Sequence, residues 1–206
     1  MATKRSVTLV LGDSFVNRLD KYIEQHQALS NMGLSLPTRD IVFHGQPGLL
    51  VDNLYHHLHV VRHLTPDIVL IHVGSNDLDN GTISSGSLVQ SLKRFAQHIK
   101  SVFGVRMVII LEVFFRARVC RGPWSSVSFL NNTIKQFNAQ CKSLARTTTC
   151  PFLFWHHPGM VLAWEQYISQ DGVHLNKQGL TKYYKSVRSA VIKYSSLLKR
   201  LPISDP

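Results

Sequence analysis

Five short apolar runs, each separated from the next by a longer segment of helical periodicity, are the feature of this sequence that most restricts its fold. The runs are rich in Val and Ile or in Phe and Trp and show little polar alternation, which is typical of strands buried on both faces. They comprise Val7–Leu11, Ile41–Phe43, Ile68–Val73, Met107–Val113 and Phe152–Trp155.

The segments after the runs carry apolar residues every three or four positions, as amphipathic helices do. The predicted helices are Val16–Gln27, Leu49–Leu64, Gly86–Phe103, Phe129–Arg146 and Lys177–Lys199. Because strands and helices alternate along the chain, the sequence predicts an α/β fold: a three-layer α/β/α arrangement around a five-stranded, parallel, doubly wound sheet of the flavodoxin-like type. We expect residues 1–206 to form a single domain, since no repeat or long linker divides them.

Composition places the chain among globular proteins. Its residues are 44% hydrophobic and 17% charged, enough to bury a sizeable core. No apolar run is long enough for a transmembrane helix, and the apolar segment 6–12 meets Asp13 too soon for a secretory signal, so we expect a cytoplasmic protein. The three cysteines, Cys120, Cys141 and Cys150, form no C-x-x-C pair, which favours a reducing compartment and no structural zinc.

Positive charge is concentrated in the second half of the chain. Residues 1–112 contain ten Lys or Arg and nine Asp or Glu, whereas residues 113–206 contain thirteen and three, within a formal net charge of +11. A basic face attracts polyanions, so nucleic acid or an anionic membrane surface is a candidate partner. A basic surface that is only solvated is the alternative.

Four short polar segments stand where catalytic groups collect in such a fold. Gly12–Ser14 (Gly-Asp-Ser) follows the first run, Gly45–Gly48 (Gly-Gln-Pro-Gly) the second and Gly74–Asp77 (Gly-Ser-Asn-Asp) the third, while Asp171–His174 (Asp-Gly-Val-His) precedes the last helix. Ligands bind at the carboxyl ends of parallel strands. We therefore expect all four segments to meet at one edge of the sheet.

The residue types in these segments suit acyl transfer by a serine nucleophile. Ser14 lies at a strand-to-helix turn, where its hydroxyl can stand clear of the backbone. A serine hydroxyl needs a base to take its proton, and His174 is the natural candidate. Asp171, three residues earlier, can hold the imidazole tautomer and stabilise the imidazolium that forms.

A tetrahedral intermediate also needs donors for its oxyanion. The backbone N–H of Ser14, the N–H of Gly48 and the side-chain amide of Asn76 can supply them from three separate loops. A glycine at position 48 lets the backbone approach substrate closely because it lacks Cβ. Gly45 is the alternative glycine donor.

The four segments resemble the SGNH/GDSL hydrolase family, in the family's order and over nearly the whole chain. The resemblance implies that Ser14 is the nucleophile, that Gly48 and Asn76 complete the oxyanion hole, and that Asp171 and His174 complete the triad. It further implies a serine esterase that cleaves an ester or thioester of an acyl or acetyl group through an acyl-enzyme, without metal or organic cofactor. The expected partner is an ester-containing small molecule or lipid.

A narrower resemblance is carried by three strings, LIHVGSNDL, FWHHPG and DGVHLNKQG. They are similar to the esterase domain in the first open reading frame protein of some LINE-type retrotransposons. That similarity implies a retrotransposon-like or domesticated relative that handles RNA and associates with lipid, which would suit the basic half of the chain. The coiled-coil or RNA-recognition segment that such proteins often carry upstream is not in this sequence.

Other polar residues near these segments have alternative roles. Asp13 and Asp77 are better suited to capping loops than to catalysis, and Ser75 is expected to line the substrate pocket. Arg116 and Arg118, in the loop after the fourth run, suit either a clamp for an anionic group of the substrate or solvated surface charge.

Four histidines, His56, His57, His59 and His63, invite a metal site, but H-E-x-x-H is absent, so a half-exposed helix face is the better interpretation and no metal is expected.

Two other functions remain open from the sequence. An SGNH-like module could bind nucleic acid or anionic lipid through its basic half with little or no catalysis. A flavodoxin-like nucleotide or flavin site is disfavoured, because neither a G-x-G-x-x-G nor a Walker loop follows any run.

Overall fold

A parallel sheet of five strands forms the centre of the protein. The computed structural model describes residues 5–34 and 39–200. The strands are β1 (Ser6–Gly12), β2 (Arg39–Gly45), β3 (Ile68–His72), β4 (Met107–Leu111) and β5 (Leu153–Trp155), in the spatial order β2-β1-β3-β4-β5. Every neighbouring pair is parallel, which confirms the predicted doubly wound sheet.

Six α-helices are described. They are α1 (Ser14–Glu24), α2 (Leu58–Leu64), α3 (Ser75–Asn80), α4 (Ser85–Phe103), α5 (Val127–Leu144) and α6 (Lys177–Leu198). Three 3₁₀ segments, Gln27–Gly33, Asp52–His57 and Trp164–Tyr167, lie between them. Polar side chains that accept a backbone N–H cap the first turns of four helices, at Asp13, Ser84, Ser126 and Asn176.

The two faces of the sheet are covered by different helices. Alternate strand residues point to opposite faces, so Val10 and Leu70 pack with α1 and α6 while Leu9 and Ile71 pack with α2, α4 and α5. The central strands β3 and β4 are buried along their whole length. This double coverage explains why the strands appear in the sequence as continuous apolar runs.

The predicted helix over Leu49–Leu64 is wrong at its start. Residues 46–51 form a loop, and a 3₁₀ segment at Asp52–His57 precedes α2. The N–H of Val51 donates to the Asp77 carboxylate at 3.0 Å, so a long-range bond replaces the local helical one. The short helix α3 is also absent from the sequence prediction, because six polar-rich residues give no apolar periodicity.

The order of the strands creates a crevice at the carboxyl end of the sheet. From β1 the chain crosses to β2 on one side, and the rest of the sheet extends to the other side through β3. Connections that leave in opposite directions open a cleft between the ends of β1 and β3. Ser14 follows β1, and Asn76 follows β3, so the predicted nucleophile and amide donor flank this cleft. Among the residues that the structure describes, no helix is both long and apolar enough to cross a membrane.

Candidate active site

Ser14 is the first residue of α1 and is partly exposed at the cleft. Asp13 fixes the turn before it: Asp13 Oδ1 accepts the N–H of Phe15 at 3.0 Å, and the N–H of Asp13 donates to the carbonyl of His72 at 3.1 Å. Gly12 allows this close contact with β3, since a Cβ there would lie 2.4 Å from the His72 oxygen. The first N–H groups of a helix have no intrahelical acceptor, so the Ser14 N–H can bind an anion.

The three residues predicted as a triad are brought together by the fold. His174 Nε2 lies 3.0 Å from Ser14 Oγ, and His174 Nδ1 lies 2.7 Å from Asp171 Oδ2. A carboxylate at Nδ1 places the proton on that nitrogen and leaves Nε2 as the acceptor that faces the serine hydroxyl. The arrangement can remove the Ser14 proton during attack and return it to a leaving group.

Asp171 is held as a carboxylate by a dense set of hydrogen bonds. Its Oδ1 accepts the N–H of His174 and of Val173, both at 2.9 Å, and the hydroxyl of Ser169 at 2.7 Å. Burial works to raise the pKa of Asp171, but these bonds and the His174 ring outweigh it and hold that pKa well below its usual value. Asp171 therefore remains charged at neutral pH.

The loop that carries Asp171 and His174 is tied to its surroundings. Ser169 N–H donates to the carbonyl of His174 at 2.7 Å, and Ala117 N–H donates to the carbonyl of Gly172 at 2.8 Å. Gly172 has a left-handed φ of +73°, and a Cβ there would lie 2.7 Å from the Cβ of Arg118. A glycine is therefore required where this loop crosses the segment that follows β4.

The loop that carries Gly48 contacts the side chain of Asn76. Asn76 Nδ2 lies 3.3 Å from the carbonyl oxygen of Leu49, the residue next to Gly48. The N–H of Gln46 donates to the carbonyl of Gly12 at 2.8 Å, which ties the Gly48 loop to the Ser14 turn. The loop of residues 46–51 is thus hydrogen-bonded both to the turn that carries Ser14 and to α3.

The structure distinguishes the two glycines of the Gly-Gln-Pro-Gly segment. A Cβ on Gly45 would lie 2.1 Å from the backbone nitrogen of Asn17, so Gly45 lets β2 pack directly against α1. Gly48 has a φ of +78°, and no atom lies within 4 Å of its ideal Cβ position. Gly48 is therefore the glycine with open space on its Cβ side, and its role as an oxyanion donor stays a prediction.

Comparison with known proteins gives a family. The model of the GDSL-like lipase/acylhydrolase family matches residues 10–181, most of the chain and all of the segments described above. The chain belongs to the GDSL-like lipase/acylhydrolase family. Comparison with curated protein sequences gives no significant match.

Solved structures of bacterial lipases and esterases share the fold at low sequence identity. A GDSL-like lipase from Bacteroides thetaiotaomicron is 18% identical, with 92% of this chain and 89% of that chain covered and a TM-score of 0.71. A catalytic mutant of the acetylxylan esterase Axe2 from Geobacillus stearothermophilus is 15% identical, with 91% and 94% covered and a TM-score of 0.67. A lipase/acylhydrolase from Enterococcus faecalis is 16% identical, with 98% and 100% covered and a TM-score of 0.63.

In this GDSL-like chain, two of the three predicted substrate-binding residues are buried instead. Ser75 is fully buried, and its Oγ accepts hydrogen bonds from the guanidinium of Arg116 at 2.8 and 3.0 Å. Arg116 is only 2% exposed and pairs with Asp79 at 2.9 Å, so it is neither a substrate clamp nor solvated charge. The pairing explains the burial, because a buried guanidinium needs a counter-charge. Arg118 is exposed beside the triad loop.

Two buried carboxyl groups support the site without facing it. Asp13 caps α1, and Asp77 accepts the N–H of Val51. Burial raises the pKa of Asp13 to about 7 and that of Asp77 to about 6, against the opposing effect of their backbone hydrogen bonds. Both residues thus have the structural roles expected for them.

The histidine-rich segment pairs with β2. His44 Nε2 lies 2.9 Å from His57 Nδ1, and burial lowers the pKa of both imidazoles. Within the described ranges no group of three or more His, Cys, Asp or Glu is arranged to hold a metal ion.

A cavity of about 440 Å³ opens away from the contacts between Ser14, His174 and Asp171. It lies between the loop after β4 and the start of α5, with Phe115 and Trp164 among its walls, and no triad residue lines it.

Sequence reasoning missed three residues that support the triad. Ser169 bonds the Asp171 carboxylate, Arg18 places Nη2 3.7 Å from the same carboxylate, and the Phe15 ring lies 5.8 Å from the His174 ring. Ser169 is two residues from Asp171, a spacing typical of local side-chain bonds, so that signal was present in the sequence. Arg18 and Phe15 lie far from His174 along the chain and give no such signal.

Proposed function

We propose that this GDSL-like chain is a serine esterase that cleaves an ester or thioester of an acyl or acetyl group. The observation that carries the proposal is the continuous chain of contacts from Asp171 through His174 to Ser14, at 2.7 and 3.0 Å. These distances lie within the range that proton transfer between a nucleophile and its base requires. The family match supports hydrolysis of esters as the general class of reaction.

In the first half of the reaction, Ser14 Oγ attacks the carbonyl carbon of the substrate while His174 Nε2 takes the hydroxyl proton. The carbonyl oxygen becomes an oxyanion, which the N–H groups of Ser14 and Gly48 and the amide of Asn76 stabilise. Collapse of the intermediate breaks the bond to the leaving oxygen or sulfur. His174 returns the proton to that atom, and Ser14 keeps the acyl group.

In the second half, water attacks the acyl-enzyme, and His174 Nε2 accepts the proton of that water. The same three donors stabilise the second oxyanion. The Ser14–acyl bond then breaks, the carboxylic acid leaves and the Ser14 hydroxyl is restored with the proton from His174. Every step uses groups of this chain and water alone.

Labelling with a fluorophosphonate probe, followed by mapping of the modified residue, tests this proposal. We expect wild type to be labelled at Ser14 and to hydrolyse p-nitrophenyl acetate, and Ser14→Ala to do neither while keeping its circular dichroism spectrum. Ser189→Ala is the matched control, because that serine is exposed on the outside of α6 and its hydroxyl donates to the Lys185 carbonyl at 2.9 Å. Labelling at another residue, or equal turnover by Ser14→Ala, would remove Ser14 from the reaction.

A second candidate function, binding of nucleic acid or anionic lipid, is favoured by the charge distribution. Residues 113–206 contain thirteen Lys or Arg and three Asp or Glu. The resemblance to the LINE-type esterase domain, which implies contact with RNA and lipid, also remains a prediction. On α6, however, Lys182 donates to the Gly159 carbonyl, Arg188 donates to the Met32 carbonyl and Lys193 lies over the Trp155 ring. These contacts give the three cations a role in packing.

Salt dependence tests the second candidate. Binding through phosphate contacts weakens steeply as salt rises. We expect the affinities for a single-stranded RNA and for phosphatidylserine vesicles to fall as NaCl is raised from 50 to 200 mM. Measured in parallel, the two affinities show which polyanion the protein prefers. An affinity that does not change with salt, or no binding to either, would contradict this function and leave the esterase proposal intact.

A further inference from the structure

Arg116 contacts the side-chain amide of Asn76, and the reaction described above does not use Arg116. Its guanidinium makes four contacts with α3: Nη1 to Asp79 Oδ2 at 2.9 Å, Nε and Nη2 to Ser75 Oγ at 3.0 and 2.8 Å, and Nη2 to Asn76 Oδ1 at 3.2 Å. All of them are directed at one short helix, and one of them reaches a predicted oxyanion donor.

These contacts determine which way the Asn76 amide faces. A guanidinium only donates hydrogen bonds, so the Asn76 atom that faces Arg116 must be the carbonyl oxygen. The NH₂ group is then directed away from Arg116, toward the segment that holds Gly48, where Nδ2 lies 3.3 Å from the Leu49 carbonyl oxygen. A flipped amide would place the NH₂ group against another donor and leave the oxygen at the oxyanion position.

We propose that Arg116 is a positioning residue for ester hydrolysis, which fixes the Asn76 amide with Nδ2 toward the oxyanion. The inference rests on the proposed esterase function. A charged donor at Oδ1 also polarises the amide, since hydrogen bonds in a chain strengthen one another, and the N–H becomes a better donor to an anion. Asp79 balances the charge of Arg116, so this polarisation does not require an unpaired buried cation.

The backbone of Arg116 is fixed as firmly as its side chain. Asn131 on α5 accepts the Arg116 N–H at 2.9 Å and donates to the Arg116 carbonyl at 2.8 Å. The next residue, Ala117, donates its N–H to Gly172 in the triad loop at 2.8 Å. Arg116 therefore links the helix that carries the amide donor to the loop that carries the base.

The test is a double-mutant cycle with Arg116→Lys and Asn76→Ala. Lysine keeps a positive charge opposite Asp79 but lacks the planar fork that bonds Ser75 and Asn76 together. We expect Arg116→Lys alone to lower kcat on p-nitrophenyl acetate by about tenfold or more, with KM nearly unchanged. In the Asn76→Ala background we expect the same change to lower kcat by less than about twofold, because the group it positions is absent.

Arg106→Lys is the matched control, since Arg106 bonds the Leu198 carbonyl at the opposite end of β4. If Arg116→Lys does not fold, Arg116→Met combined with Asp79→Asn removes both buried charges and takes its place in the cycle. Multiplicative losses in the two backgrounds would mean a general structural role and would overturn the inference.

A second readout does not depend on turnover. The Asn76 side-chain amide gives a pair of ¹H–¹⁵N signals, and we expect both to shift in Arg116→Lys and to stay in place in Arg106→Lys. Unchanged Asn76 signals in Arg116→Lys would overturn the inference even if the esterase is active. Shifted signals in a protein that neither hydrolyses esters nor labels at Ser14 would instead refute the esterase function and, with it, a catalytic role for Arg116.

Discussion

His174 Nε2 lies 3.0 Å from Ser14 Oγ although 160 residues separate the two along the chain. Ser14 begins α1, and His174 lies just before α6. The two helices pack on the same face of the sheet, where the hydroxyl groups of Tyr22 and Thr181 lie 3.1 Å apart. The distance between nucleophile and base is therefore set by the packing of α1 against α6.

Loss of the base should harm activity more than loss of its carboxylate partner. We expect His174→Ala to lower kcat/KM on p-nitrophenyl esters to the background rate. Asp171→Ala keeps the imidazole but loses the carboxylate that orients it and supports its charge. We therefore expect the kcat/KM of Asp171→Ala to be about tenfold or more above that of His174→Ala. Equal rates for the two variants, with both folded by circular dichroism, would contradict this division of roles.

The two glycines of the Gly-Gln-Pro-Gly segment should respond differently to alanine. Gly45→Ala places a Cβ 2.1 Å from Asn17 N, which forces β2 away from α1, and we expect a loss of about 3 kcal/mol or more in the free energy of unfolding. Gly48→Ala meets no atom but strains a left-handed φ, at a cost of about 1–2 kcal/mol. Urea unfolding measures the free energy of unfolding of both variants. A smaller loss of stability for Gly45→Ala than for Gly48→Ala would refute the assignment of Gly45 to packing against α1.

Activity should depend on the charge of the side chain at position 76 as well as on its size. Asn76→Ala removes one oxyanion donor, for which we expect a fall in kcat of about 10²–10³-fold. Asn76→Asp has nearly the same shape but presents an acceptor with negative charge, so its kcat should be lower still. Steady-state kinetics on p-nitrophenyl acetate compares them. An Asn76→Asp variant as active as wild type would mean that this amide does not face the oxyanion.

Stability should fall with rising pH because of Asp13. Burial raises the folded-state pKa of Asp13 from 3.8 to about 7, so the folded protein binds a proton at this site that the unfolded chain releases. The contribution of Asp13 is fully present below about pH 4 and is lost as pH rises through 7, up to about 4 kcal/mol in all. Asp13→Asn keeps an oxygen that can accept the Phe15 N–H and has no proton to lose.

The measurement is the free energy of unfolding of both proteins at pH 4, 6 and 8. Asp77, with a raised pKa, and His72, with a pKa lowered by burial to about 3, also titrate in this range. They are common to both proteins, so the difference between wild type and Asp13→Asn isolates Asp13. We expect Asp13→Asn to gain stability relative to wild type as the pH rises. A difference that is constant with pH would contradict the raised pKa.

The fold was predictable because the local signals of the five strands and of the long helices agreed with the overall fold. The strands are buried on both faces, so their apolar runs stand out, and the helices that cover them carry an apolar stripe. The predicted helix beginning at Leu49 failed because that stretch bonds Asp77, far along the chain. A local pattern carries no information about such a bond.

For the site, residue types could be predicted but exposure could not. Ser14, Asp171 and His174 are recognisable because their chemistry and spacing are local properties. Arg116 was expected to face substrate or solvent, because an arginine in a surface loop is usually exposed. Its burial depends on Asp79, which lies on α3, far from Arg116 along the chain, and is unremarkable in the sequence.

The sequence by itself determined the parallel α/β sheet and the chemical groups at its carboxyl edge, because hydrophobic periodicity and turn chemistry act between near neighbours. Only the tertiary structure decided which groups touch. The pairing of His174 with Ser14, the choice of Gly48 over Gly45 as the open glycine, and the contact of Arg116 with the Asn76 amide all depend on packing between elements far apart in the chain. Such distances follow from how helices and loops fill space around the sheet, which no local pattern encodes.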